Sequence, residues 1–179
     1  MKTVLHVGCG GGTLPPYFED DWKEIRLDID PDVKPHILSS ILAIPVGDET
    51  YDAVYSSHNL EHLFRHEVSV ALREFRRVLR LGGLLMVAVP DLQSVAKHVA
   101  EGNLTDPIYE SPAGPIAPID VLFGHSGCIA LGNEFYAHKT GFTVRSLEDA
   151  LITAGFVDVK VDCDPDAFAL VATAYRAGV

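Results

Sequence analysis

Gly8-Cys9-Gly10-Gly11-Gly12 follows directly on a short apolar, β-branched run that starts at Val4. Glycines at such a turn let the chain reverse sharply and let a ligand approach the main chain with no Cβ in the way. Twenty residues after Gly8, at the end of the next short apolar run, stands Asp28. In a doubly wound sheet those two strand ends are neighbours, and a carboxylate there can accept both hydroxyls of a ribose. The alternative for Asp28 is a loop cap, the role read for Asp30 and Asp32. The dinucleotide pattern G-x-G-x-x-G finds its first two glycines at Gly8 and Gly10, but its sixth position is Thr13. That third glycine packs a helix closely beside a pyrophosphate, so a ligand without a pyrophosphate does not need it.

Histidines form the second chemical cluster. His58, His62 and His66 recur at i, i+4 and i+8, and His58-Asn59-Leu60-Glu61-His62 matches H-x-x-E-H letter for letter. As a zinc hydrolase motif this needs a helix and a further acidic ligand downstream. Here it follows a strand end, so zinc hydrolysis is set aside. Asp91 closes another strand-like run, at the carboxyl edge where substrates bind in such sheets, and is a candidate substrate contact. His6 lies within the first strand and reads as structural or as a cofactor-edge contact.

The elements that must position these residues alternate. Val4 to Gly8 is a buried strand ending in a tight turn, and Thr13 to Asp20 is read as a first helix with Pro15 and Pro16 in its opening turn. Ile25 to Leu27 and Asp52 to Ser56 are strands, and His36 to Ile41 is ambiguous. Glu67 to Arg80 carries Val68, Ala71, Leu72, Phe75, Val78 and Leu79 at helical spacing, with Gly82-Gly83 as its stop. Leu84 to Val89 is a strand, Leu92 to Glu101 a helix, and Ser146 to Ala154 a helix with Ser146 and Asp149 in capping-box spacing. Phe156 to Val161 and Phe168 to Tyr175 are joined by too short a link for a crossover helix, so they form an antiparallel hairpin. The expected fold is α/β: a Rossmann-like, doubly wound, mostly parallel seven-stranded sheet ending in that hairpin. The whole chain, 1–179, is read as one domain.

Gly102 to Phe142 stands apart, with four prolines, six glycines and five aromatics. Loop-rich stretches of that length are uncommon inside a compact domain and are often functional. It is read as an insertion that covers a substrate.

Composition excludes several classes. With 47% hydrophobic and 22% charged residues the chain is not disordered. No apolar run is long enough to span a bilayer, and no signal peptide is read at Met1-Lys2. Cys9, Cys128 and Cys163 make no C-x-x-C pair and read as reduced thiols of a cytoplasmic protein. A net charge of −11 repels phosphate backbones and argues against a nucleic-acid partner.

Several ordered motifs together carry a family resemblance. VLHVGCGGGT resembles the glycine-rich first motif of class I S-adenosylmethionine-dependent methyltransferases, and RLDIDP resembles their acidic second strand end. IPVGDETYDAVYSSHNLEHL resembles their LPF-x-D stretch and the L-E-H that follows it. EFRRVLRLGGLLMVAVPD resembles their R-V-L-K-P-G-G strand entry, with Leu81 where proline is usual, and AGFVDVKV resembles their late A-G-F strand start. The resemblance covers nearly the whole chain. It implies S-adenosyl-L-methionine as cofactor, held by Gly8, Cys9, Gly10 and Gly12 of the loop, by Asp28 and Ile29, and by Ser57 after the fourth strand. Counting back from Pro45 puts Ser40 and Ile41 at the adenine, without the acidic residue many members have there. Members that methylate DNA amines carry an N-P-P-Y-like run where Ser56-Ser57-His58-Asn59 stands, a second argument against nucleic acid.

The resemblance also turns the residues after the fourth strand toward the methyl group, which makes His58 the leading general-base candidate, with His125 and His138 of the insertion as competitors. Some ubiquinone-biosynthesis O-methyltransferases that resemble this stretch hold a metal through Glu and Glu-His. Glu61 and His62 match by position, His58 replaces the first glutamate, and no metal is assigned. The implied reaction is methyl transfer to a small-molecule or glycan-type acceptor, at oxygen. A non-catalytic adenosyl-binding module and an NAD-dependent oxidoreductase are the alternatives, and a homodimer is compatible with the sequence.

Overall fold

The computed structural model describes residues 1–111 and 114–178. Pro112 and Ala113 of the insertion, and Val179, lie outside the described residues. A seven-stranded sheet is built from β1 (Lys2–Val7), β2 (Trp22–Asp28), β3 (Ile37–Leu38), β4 (Tyr51–Ser57) and β5 (Leu79–Pro90), joined by β8 (Phe156–Asp164) and β9 (Ala169–Arg176). Its order is β3-β2-β1-β4-β5-β9-β8. β9 runs antiparallel to both of its neighbours, and β1 to β5 pair in parallel, as the alternating pattern and the short hairpin link require.

Alternation along each strand sends one set of side chains to each face. Leu5, Val7, Val54, Leu85 and Val87 pack with Leu72 and Phe75 of α1 (Arg65–Val78) and with Leu147 and Leu151 of α5 (Val144–Thr153). Val4, Ala53 and Leu84 on the other face meet Phe18, with Trp22 and Tyr55 beside them. Among the described residues no helix is long and apolar enough to cross a membrane.

Three local expectations are corrected. The first helix shrinks to a single 3-10 turn, Pro16–Phe18. Pro16 holds Pro15 extended, at φ −69° and ψ 161°, and Asp20 at φ +66° ends the segment, so no α-helix can run between them. Gly82-Gly83 does not stop α1. Leu79 is already extended, and the two glycines lie inside β5, where pairing with β4 shifts register between Tyr51–Leu79 and Ala53–Leu84. The cap of α5 is Thr143, with Ser146 at its third position.

Segment 102–142 has short elements of its own: the β6–β7 hairpin (Tyr109–Ser111, Gly114–Ile116), α3 (Pro118–Phe123), α4 (Ser126–Ala130) and a 3-10 turn, Glu134–Tyr136. It leaves the sheet after α2 (Leu92–Ala100) and returns at Phe142, whose carbonyl accepts the Leu92 N–H. Its returning end is thus anchored at the carboxyl edge of β5.

Candidate functional site

At the carboxyl edge, the loop after β1 and the end of β2 form one hydrogen-bonded unit. Asp28 is only 8% exposed. Its Oδ2 accepts the Gly10 N–H at 2.8 Å and its Oδ1 accepts the Asp30 N–H at 2.9 Å. Gly8 and Gly10 take left-handed backbone, at φ +60° and +45°, and a Cβ on Gly8 would lie 2.3 Å from Asn59 Cγ. Glycine at position 8 therefore answers both the turn and the close approach of Asn59.

Arg26, one residue before Leu27 on β2, braces the loop from beneath. Its guanidinium donates to the carbonyls of Gly10 (2.6 Å), Gly12 (3.0 Å) and Cys9 (3.4 Å). Glu24 holds that guanidinium at 3.0 Å and also meets Nδ1 of buried His6 at 2.7 Å. Burial outweighs Glu24 and lowers the His6 pKa below its ordinary value. His6 is therefore a structural partner of the brace. Burial also pushes the Cys9 thiol up, away from nucleophilic thiolate chemistry.

A cavity of about 380 Å³ opens over this loop. Gly8, Gly10, Asp28, Ile29, Ser40, Ile41 and His58 line it, joined by Gly11, Leu42, Asn59, His62, Leu63 and Glu67. Asn133, Phe135, Tyr136 and Lys139, from segment 102–142, complete the wall. The other sequence candidates stand back from it. The Cys9 side chain is buried, Gly12 closes a turn on the Cys9 carbonyl, and Ser57 pairs with Ala88 along β5. Asp91 caps α2, accepting from Gln93 N and Ser94 Oγ. His125 caps α4 through the Cys128 N–H.

His58 sits at φ +47°, a region L-residues rarely adopt, and its side chain is half exposed. Such strain is kept only where the surroundings enforce it. Its Nδ1 lies 3.4 Å from Oε1 of Glu61, which is 1% exposed. The contact is close enough for an ion pair but too poorly aligned to count as a hydrogen bond, so neither Glu61 oxygen has a hydrogen-bond partner among the described residues. The carboxylate holds the His58 pKa above its ordinary value. For Glu61, burial pushes the pKa up, and His58 and His62 more than offset it. His138 lies with its ring 4.9 Å from that of His62, and burial lowers its pKa.

Asn59 and Arg26 are the site residues that the sequence reading missed. Asn59 lies inside the H-x-x-E-H letters, where attention falls on the histidines, and its Nδ2 is a buried donor without a partner among the described residues. Arg26 sits at one position of an ordinary strand, and nothing in its neighbours' types reveals where its side chain reaches.

Comparisons with known proteins agree with this fold. A family model described as a methyltransferase domain matches residues 5–87. An uncharacterized protein of Methanocaldococcus jannaschii is 33% identical over 102 residues, which are 53% of this chain and 44% of that protein. The chain thus spans under half the length of that relative. A solved S-adenosylmethionine-dependent methyltransferase of Methanosarcina mazei superposes with a TM-score of 0.66 at 17% identity, over 99% of this chain and 93% of its own. The 1,6-didemethyltoxoflavin-N1-methyltransferase of Burkholderia thailandensis, solved with 1,6-didemethyltoxoflavin and S-adenosylhomocysteine, superposes with a TM-score of 0.61 at 20% identity, over 98% and 71%.

Proposed function

We propose that the chain, whose residues 5–87 match a methyltransferase-domain model, is a class I S-adenosylmethionine-dependent methyltransferase that methylates a hydroxyl oxygen of a small or sugar-containing acceptor. The observation that carries the reading is the hydrogen-bonded pair of glycine loop and Asp28, which opens on the same cavity as His58.

The residues present fit the cofactor. Asp28 keeps lone pairs on both oxygens for ribose hydroxyls, beside an apolar slot formed by Ile29, Ile41 and Leu42. Asn59 lines the same cavity, and its buried Nδ2 has no hydrogen-bond partner among the described residues. The loop has no third glycine at Thr13, in keeping with a ligand that lacks a pyrophosphate. When bound, S-adenosylmethionine supplies a methyl group on a sulfonium, already a good leaving group.

What remains for the protein is alignment, exclusion of water and removal of the acceptor's proton. Segment 102–142, through Asn133, Phe135, Tyr136 and Lys139, covers the acceptor side and excludes water. His58 turns Nδ1 toward Glu61, which leaves Nε2 to take the proton of the acceptor hydroxyl. The Glu61 carboxylate stabilises the imidazolium that forms. The test is turnover with S-adenosylmethionine labelled in its methyl group, over a panel of hydroxyl-bearing acceptors. His58→Asn should lower kcat by about 10²–10⁴-fold while S-adenosylhomocysteine affinity stays within twofold of wild type. Label transferred at an undiminished rate by His58→Asn would remove His58 from the chemistry.

A further inference from the structure

Glu61 is a buried carboxylate whose two oxygens accept no hydrogen bond among the described residues, and His62 and His138 converge on it. One ligand atom from each of Glu61, His62 and His138 can be chosen so that all lie within 4.8 Å of one another. Ligands at about 2.1 Å around a tetrahedral ion stand roughly 3.4 Å apart, so closure by an ångström or so completes the set. We propose that Glu61, His62 and His138 bind one first-row divalent cation of the Zn²⁺ type.

Two further observations point the same way. His62 Nδ1 meets the Ala137 carbonyl at 3.2 Å, and His138 Nδ1 meets the Val121 carbonyl at 2.7 Å. Each ring therefore donates from Nδ1 to a main-chain oxygen and presents a bare Nε2. That is the arrangement in which a second hydrogen bond fixes the tautomer and aim of a ligating histidine. The backbone holds the two halves together as well, because the Glu61 carbonyl accepts the N–H groups of both Lys139 and Thr140. Segment 102–142 is thereby locked beside the residues that follow β4. Imidazole and carboxylate donors suit Zn²⁺ and its neighbours, and three protein ligands leave a coordination position open. His62 also lines the cavity, so water or an acceptor oxygen can reach that position. His58 Nδ1 lies 3.4 Å from Glu61 Oε1, and neither Glu61 oxygen accepts a hydrogen bond among the described residues. The third ligand, His138, comes from the insertion, more than seventy residues away in sequence, and the spacing of the His58–His62 letters gives no hint of it.

The proposal stands apart from the methyl-transfer reading, because it is tested without cofactor or acceptor. Tag-free, chelator-stripped protein is titrated with Co²⁺, read by its visible absorption, and with Zn²⁺ by calorimetry. One equivalent should bind saturably, with Zn²⁺ displacing Co²⁺. Glu61→Gln, His62→Asn and His138→Ala should each weaken binding by at least about tenfold. His66→Ala, on an exposed neighbour of the same segment, should leave it unchanged. Melting curves of the metal-free variants show which of them are folded. Wild-type protein without a saturable one-equivalent site would overturn the proposal. So would a His138→Ala protein of wild-type melting temperature that binds as tightly as wild type.

Discussion

Replacing Asp28 by alanine probes the ribose assignment at its most committed point. The carboxylate is nearly buried and already holds two backbone N–H groups, those of Gly10 and Asp30. A ribose hydroxyl adds a charge-assisted bond worth about 1.5–3 kcal/mol. At roughly 1.4 kcal/mol per tenfold, loss of one such bond weakens binding about 10- to 140-fold. Loss of the second hydroxyl's bond, and of the Gly10 anchor that shapes the loop, pushes the effect the same way, so tenfold is the floor. Calorimetric titration with S-adenosylhomocysteine measures it directly. Asp32→Ala is the matched control: Asp32 is exposed, stands outside the cavity wall, and donates its backbone N–H to Asp30. Asp28→Asn should fall between the two, since asparagine keeps one acceptor oxygen for Gly10 or Asp30 while its NH2 group, a donor, cannot accept the other N–H. A folded Asp28→Ala protein that binds within twofold of wild type would refute the assignment, because no partner would then have been lost.

Two other perturbations follow from the same contacts. Arg26→Ala removes the brace under three loop carbonyls and should weaken S-adenosylhomocysteine binding by about tenfold, with Arg26→Lys recovering little, since one ammonium cannot span Cys9, Gly10 and Gly12. Glu74 accepts the Ile44 N–H and pairs with Arg77, which also donates to the carbonyls of Ile44 and Val46, pinning the loop before β4 to α1. The Arg77 guanidinium holds the Glu74 carboxyl below its usual value of 4.5. A depressed folded-state pKa gives stability that is fully present above the unfolded value and is lost as pH falls through the folded one. Glu74→Gln should therefore cost about 1.5–3 kcal/mol in denaturant unfolding at pH 7, and the difference from wild type should shrink below pH 4.5.

The sheet was readable because its signals are local. β-branched runs such as Val4–Val7, the glycine turn at Gly8 and the short link before β9 each constrain the backbone where they stand. Errors arose where a neighbour decided. Pro15-Pro16 could open a helix, but each proline restrains the residue before it, and too little chain remains before Asp20. Gly82-Gly83 looks like a helix stop until β4 pairs across it and turns it into an irregularity within β5.

The site divides along the same line. Asp28 and the glycine loop share adjacent strand ends, so topology brings them together. Arg26 reaches the loop through a side-chain direction that no pattern encodes. His138 meets His62 only because the 102–142 segment folds back, and its 137–140 stretch hydrogen-bonds to Glu61 and His62. Asp91 lies at the carboxyl edge, as its strand-end position requires, yet its oxygens serve the N-terminus of α2, a role that position alone cannot distinguish from substrate contact.

The measurement that bears most directly on the account is calorimetric titration of the wild-type chain with S-adenosylhomocysteine, with NAD as the comparison ligand. Micromolar binding of the first, in a one-to-one ratio, and none of the second is the predicted result. Binding of NAD instead, or of neither, would contradict the claim that the Gly8–Asp28 cavity holds an adenosyl methyl donor.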